Sequence, residues 1–278
     1  MRGIRLMLAD VAGAVERIIL NGLNGLNGLN GLGGARTVQA KLGLPSRIAA
    51  CLFDLDGVLT QTSTLHAAAW KQAFDEFLHA HAASRGQPFV PFDAALDYTR
   101  YVDGRPRDDG VRSFIAARGI ELSEGTIRAI GTRKNELLQH MLDERPVATY
   151  AGSVRYVHAV REAGLKTAVV SSSKHAQEVL GSAGIAELFD VRIDGVIAEQ
   201  RYLAGKPAPD TYLAAARALR VEPARAAVFE DALAGVEAGH AGRFGYVVGV
   251  DRAGQASALR RHGADIAVQD LAMLLDTP

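Results

Sequence analysis

The sequence predicts an α/β fold, a Rossmann-like parallel sheet with a helical cap domain inserted after its first strand. Three observations carry this reading. From Pro146 onward, short apolar runs alternate with helical patterns, which implies parallel strands covered on both faces. One further strand stands alone ahead of them, leading from Arg47 into Asp54. Residues 65 to about 144, between the two, hold several helical patterns and no convincing strand. The expected organisation is an appendage over residues 1–45, a sheet core built from 46–64 and 145–278, and a helical cap over 65–144.

The elements follow in chain order. Ile4, Leu8, Val11, Val15 and Ile18 share a helical face and predict a short amphipathic helix. The run "NGLNGLNGLNGLGG", Asn21 to Gly34, has a period of three but no proline, so it reads as a flexible linker rather than a collagen-like segment. Cap helices are expected over His66–Ala83, Arg107–Arg118 and Thr126–Leu142. The core then alternates: helix Ser153–Ala163, strand Thr167–Val170, helix Lys174–Ala183, strand Phe189–Ile193 and helix Thr211–Leu219. Strand Ala226–Phe229, helix Leu233–Ala241 and strand Tyr246–Val250 complete it.

Composition narrows the function classes. Lys+Arg and Asp+Glu both number 31, so no basic excess argues for nucleic acid. Cys51 is the only cysteine, which rules out an intrachain disulfide and suits a reducing compartment. Charges interrupt every apolar stretch well short of the roughly 20 residues that span a bilayer. Arg2, Arg5, Asp10, Glu16 and Arg17 break up the apolar region that a signal peptide needs. The expectation is a cytoplasmic monomer acting on a small molecule, with no nucleic-acid or membrane partner.

In such sheets, ligands bind beyond the carboxyl ends of the strands, near the point where strand order reverses. Three predicted strand ends carry chemistry. The first ends in "CLFDLDGVLT", with Asp54 and Asp56 two residues apart and so on one face of an extended chain. Two such charges about 4 Å apart repel by about 4 kcal/mol at an effective dielectric near 20, so something must offset them. The second ends in Ser171, Ser172, Ser173 and Lys174; the third ends in Glu230 and Asp231. The loop "GKPAPD" between those two supplies Lys206. Each motif alone would also serve as a helix cap or a turn. Their joint occurrence at strand ends is what points to a site.

The set has a physical logic. Carboxylates such as Asp54 and Asp231 suit one Mg2+, a hard cation that takes one or two carboxylates plus water and substrate phosphate. Glu230 could hold a coordinated water. Ser171 and the N–H groups that follow offer an anion site, and Lys206 adds a charge against phosphate. With a cation offsetting the repulsion, Asp54 could attack phosphorus while Asp56, a step further out, holds a proton and donates it to the leaving oxygen.

The motifs "DLDGVLT", "VVSSSK", "GKPAPD" and "FEDALAGVEAG" resemble those of the haloacid dehalogenase superfamily of aspartate-nucleophile phosphotransferases, over about residues 47 to 275. The resemblance implies that Asp54 becomes the aspartyl-phosphate and Asp56 the acid/base, its backbone carbonyl also binding Mg2+. It makes Ser171, Ser172 and Lys206 holders of the transferring phosphate, with Glu230 and Asp231 on the metal. The insert looks like the cap of the β-phosphoglucomutase-like branch. Residues that fit that pattern are His66 and Trp70 in "LHAAAWK", Gly104 and Arg107 in "VDGRPRDDGV", and Lys134 and Asn135 in "TRKNELL". By the same resemblance Arg107 grips a non-transferring phosphate, Lys134 lies near the sugar, His66 couples the cap to Asp56, and Ser173 and Lys174 sit at the mouth. Gln61, where many relatives carry aspartate, and Asp103, close to Arg107, depart from the pattern.

The implied function is Mg2+-dependent conversion of β-glucose 1-phosphate to glucose 6-phosphate, with glucose 1,6-bisphosphate as activator and intermediate. A sugar-phosphate phosphatase would share every core residue and differ in letting water reach the aspartyl-phosphate. A catalytically silent binding protein is the third reading, and the intact set of Asp54, Asp56, Ser171, Lys206 and Asp231 counts against it.

Overall fold

The structure, a computed structural model, describes residues 41–144 and 146–275. The amphipathic helix and the Asn21–Gly34 repeat expected near the start lie outside the described residues.

A six-stranded parallel sheet forms the core, in the order β3-β2-β1-β4-β5-β6. Its strands are β1 (Ala50–Phe53), β2 (Lys166–Val170), β3 (Val191–Ile193), β4 (Ala226–Glu230), β5 (Tyr246–Val250) and β6 (Ile266–Val268). β1 lies at the centre, with Ala50 in register with Lys166 on one side and Ala226 on the other. Strand order runs outward in both directions from β1, so the switch point lies between β1 and β4. The carboxyl ends there carry Asp54 and Asp231.

Every residue of β1 and β4 is buried, as expected of strands covered on both faces. Alternate residues feed two cores. Cys51 and Phe53 pack with Val169 and Phe229 against helix α4 (Ala151–Glu162), with Phe53 stacked on Phe229 at 4.5 Å. Leu42 and Leu44 join that layer, and the Tyr156 hydroxyl donates to the Leu42 carbonyl at 2.8 Å. Ala50 and Leu52 face the other layer, under α7 (Asp210–Ala218) and α8 (Leu233–Ala241).

Between β1 and α4 the chain forms three α-helices: α1 (Ser63–Arg85), α2 (Arg107–Ala117) and α3 (Glu124–Asp143). They have their own core, in which Phe74 lies 5.0 Å from Phe92 and 4.4 Å from Phe114. Ser123 starts α3 by accepting a hydrogen bond from the Thr126 N–H. A π-helical turn, Tyr98–Val102, precedes α2 and has no periodic signature in the sequence.

Elsewhere the structure adds to the sequence reading. Helices α5 (Ala176–Ser182), α6 (Gly195–Gln200) and α9 (Ala256–Arg261) are short. Of these, α6 and α9, like the three-residue β6, are too brief to show a hydrophobic period. The expected helix from Lys174 begins at Ala176, because the Ser173 hydroxyl takes the His175 N–H into a turn. The expected strand from Phe189 begins at Val191; Phe189 packs edge-on against Phe53 instead, at 6.2 Å. No helix among the described residues is long and apolar enough to cross a membrane.

Candidate active site

The strand ends and the helical lobe enclose a cavity of about 240 Å³. Its core wall carries Asp54, Asp56, Ser171, Ser172, Ser173, Lys174 and Asp231. Its cap wall carries His66, Trp70, Gly104, Arg107, Lys134 and Asn135. Two residues expected in the site, Lys206 and Glu230, lie beneath this surface, at 2% and 0% exposure.

The carboxylate crowding anticipated at the end of β1 is offset first by an internal cation. Lys206 Nζ lies 2.5 Å from Asp54 Oδ1 and 2.5 Å from Glu230 Oε1, and donates to the Val170 carbonyl at 3.1 Å. Burial works against the lysine's charge, but the Asp54 and Glu230 carboxylates outweigh it and hold its pKa above the usual range. Lys206 is thus paired with two carboxylates, one of them Asp54, the residue expected to carry the phosphoryl group. Even so, burial, reinforced by Glu230 and Asp56, pushes Asp54 well above the usual carboxylate range against the pull of Lys206. Burial and the nearby Asp103 and Asp54 push Asp231 up as well. One lysine does not neutralise this many buried acids.

The residues fit a divalent cation. Asp54, Glu230 and Asp231 are buried and each brings a carboxylate oxygen within 4.8 Å of the others. An all-oxygen, anionic donor set suits a hard ion such as Mg2+. The backbone is shaped to allow the approach. Gly57 has φ +91°, and a Cβ there would lie 1.8 Å from Asp231 Oδ2.

Asp56 turns its carboxylate away from this triad. Oδ1 accepts a short hydrogen bond from the Thr62 hydroxyl and lies 3.5 Å from His66 Nε2; Oδ2 accepts from the Ser171 hydroxyl at 3.2 Å. Ser171 in turn accepts the Ser173 N–H at 3.0 Å. Its hydroxyl is therefore spent on Asp56, and a phosphate would have to compete for it.

The two walls are stitched together. The Ser172 hydroxyl donates to the Gly104 carbonyl at 2.7 Å. A Cβ on Gly104 would meet Ala232 at 2.9 Å, and one on Gly205 would meet Pro106 at 2.0 Å. From the cap, Lys134 Nζ lies 3.2 Å from His66 Nδ1 and 5.3 Å from the centre of the Trp70 ring. Trp70 also stacks on Phe74 at 5.0 Å, so it serves cap packing and cavity wall together. Arg107 pairs with Asp108 at 3.1 Å and packs over Gly131, while Lys174 pairs with Glu199 at 2.6 Å. Asn135 lies beside Arg107 where the cavity opens into a groove along α3.

Several residues of the site escape sequence reasoning. Thr62 is one of three alternating threonines, Thr60, Thr62 and Thr64, and nothing in the chain singles it out. Tyr212 reads as a core aromatic of α7, yet its hydroxyl donates to Glu230 Oε1 at 2.8 Å. Arg252 donates to the Gly57 carbonyl at 2.9 Å and lies 3.6 Å from the centre of the Tyr150 ring, clamping the loop after Asp56. Its signal was available, since it follows the end of β5. Asp103, noted only as a departure, lines the cavity, and burial with the nearby Glu230 carboxylate raises its pKa to about 7. By contrast, His79 and His81 pack on Phe89 and Phe77 respectively, apart from the site.

The chain is similar to known proteins over most of its length. The family model for haloacid dehalogenase-like hydrolases matches residues 48–243. A β-phosphoglucomutase of Mycobacterium bovis is 51% identical over 246 residues, covering 84% of this chain and 94% of that protein. The validoxylamine A 7'-phosphate phosphatase of Streptomyces hygroscopicus subsp. limoneus is 31% identical, covering 79% of this chain and 92% of that one. The crystal structure of a Clostridium difficile β-phosphoglucomutase matches with a TM-score of 0.66 at 26% identity, over 82% of this chain and 93% of that chain. On the family match and the 51% identity together, the chain belongs to the haloacid dehalogenase-like hydrolase family, in its β-phosphoglucomutase-like branch.

Proposed function

We propose that the protein converts β-glucose 1-phosphate to glucose 6-phosphate by phosphoryl transfer through a phosphorylated Asp54. The observation that carries this reading is the cavity, with acidic strand ends on one wall and Arg107 and Lys134 on the other. A sugar bearing a phosphate at each end needs both walls at once. The 51% identity to a β-phosphoglucomutase supports the choice of sugar.

Asp54, Glu230 and Asp231, with the main-chain oxygen of Asp56, would hold Mg2+, which offsets the charge of the carboxylates and the transferring phosphoryl group. In the first half-reaction the sugar 6-hydroxyl attacks phosphorus of phospho-Asp54 and gives its proton to Asp56. The phosphorus–Asp54 bond breaks, leaving the carboxylate and glucose 1,6-bisphosphate. The bisphosphate then turns end for end. An Asp54 oxygen attacks the phosphorus at position 1, that P–O bond breaks, and Asp56 returns its proton to the leaving oxygen. Glucose 6-phosphate departs and Asp54 is phosphorylated again. Added glucose 1,6-bisphosphate primes the cycle. Ser171, Ser172 and Lys206 are assigned to the transferring phosphate, and Arg107, Ser173, Lys174 and Asn135 to the remote one. His66, Trp70 and Gly104 shape the cap side around the sugar. The reaction belongs to a reducing, cytoplasmic setting, in keeping with a single buried cysteine.

A sugar-phosphate phosphatase is the second reading, favoured by the 31% identity to a phosphatase. One experiment separates the two. The protein is incubated with β-glucose 1-phosphate, Mg2+ and a trace of glucose 1,6-bisphosphate while phosphorus NMR is followed, with Asp54→Asn as the folded control. Glucose 6-phosphate from the wild type alone supports the mutase; inorganic phosphate in its place supports the phosphatase. Turnover by Asp54→Asn removes Asp54 as nucleophile.

A further inference from the structure

Glu230 is fully buried, and the protein engages both of its oxygens. Oε1 accepts from the Tyr212 hydroxyl at 2.8 Å and lies 2.5 Å from Lys206 Nζ; Oε2 accepts the Ala232 N–H at 3.2 Å. Behind the carboxylate stands Gly235, where a Cβ would lie 1.8 Å from Oε1. Oε1 is thus pinned between a phenol, an ammonium and bare backbone, and Oε2 keeps the capacity to bind a cation. Lys206 divides itself between this oxygen and Asp54 Oδ1.

Tyr212 has 0% exposure, its ring 5.1 Å from Lys206 Nζ and edge-on to Phe244 at 5.9 Å. Packing alone does not call for the hydroxyl. A phenylalanine would fill the same space between α7 and the sheet without the cost of desolvating a phenol.

We propose that the Tyr212 hydroxyl is a positioning group for the metal site: it fixes the Glu230 carboxylate and, by sharing Oε1 with Lys206, sets how far that lysine reaches toward Asp54. This rests on the metal-dependent reading above and extends it to a residue outside the ligand set. Without the hydroxyl, Glu230 turns more freely and Lys206 leans toward it, away from Asp54.

The test is Tyr212→Phe, which keeps the ring over Lys206. Calorimetric titration of the metal-free proteins with Mg2+ should show about 10-fold or greater loss of affinity, the usual scale for losing a group that orients a ligand. With sugar phosphate at saturating Mg2+, kcat should fall while KM stays within about 2-fold, because the cap contacts are untouched. The loss of Mg2+ affinity should vanish when the same change is made in Glu230→Gln. Equal Mg2+ affinity for wild type and a folded Tyr212→Phe overturns the proposal, whatever the substrate. Weaker Mg2+ binding by Tyr212→Phe, in a wild type that converts no glucose phosphate, would sink the sugar assignment and leave this inference standing.

Discussion

Lys134 of the cap lies 3.2 Å from His66 Nδ1, and the other nitrogen of that ring lies 3.5 Å from Asp56. A cation on the cap is thereby linked to the acid at the end of the first strand. Burial, with Lys134 nearby, lowers the His66 pKa to about 4, so its ring is neutral at pH 7. Burial likewise lowers the Lys134 pKa to about 7.

The sign of the resulting pH dependence follows. In the free protein Lys134 is charged below about pH 7 and loses its proton above it. Its attraction for a phosphorylated sugar is present at low pH and lost as pH rises through that value. We expect kcat/KM, which reports the free enzyme, to fall between about pH 7 and 9, and the fall to be absent in Lys134→Met. Parallel profiles for the two proteins would remove Lys134 as the titrating group.

Arg107 carries the second prediction. If it holds a remote phosphate, Arg107→Ala should lower kcat/KM for a sugar phosphate by about 100-fold, in line with losing a charge-assisted, two-point contact of about 2–3 kcal/mol. Hydrolysis of a small aryl phosphate, which has no second phosphate, should change by less than about 3-fold. Equal losses on both substrates would place Arg107 in the structure of the cap rather than in recognition.

Gly57 supplies the third. Alanine there meets Asp231 Oδ2 at 1.8 Å and must hold φ +91°. A strained backbone of this kind costs about 1–3 kcal/mol before the clash is counted. Gly57→Ala should lower the melting temperature and abolish calorimetric Mg2+ binding. Mg2+ affinity within 2-fold of wild type would show that Asp231 is not held where its carboxylate meets Asp54 and Glu230.

The sheet, the inserted helices and most of the cavity wall were legible in the chain itself. Alternation of apolar runs with helical patterns depends on burial along each element, which is local information. Asp54, Ser171 and Asp231 were found because a parallel sheet gathers ligands at its strand ends, a rule that needs only the strand positions. Short elements such as β6 and the π-helical turn before α2 stayed hidden, because three to five residues cannot display a period.

Partnerships across long sequence distances were decided only by the fold. Sequence supplied Lys206 as a positive charge; tertiary packing seats it between Asp54 and Glu230, where it offsets the acids before any metal does. Thr62, Tyr212 and Arg252 look ordinary in the chain and acquire meaning from what lies against them. The physical reason is that residue type and spacing fix which groups reach one rim of the sheet. Which of them shares a proton, a charge or a lone pair depends on side-chain directions that only the packed core sets.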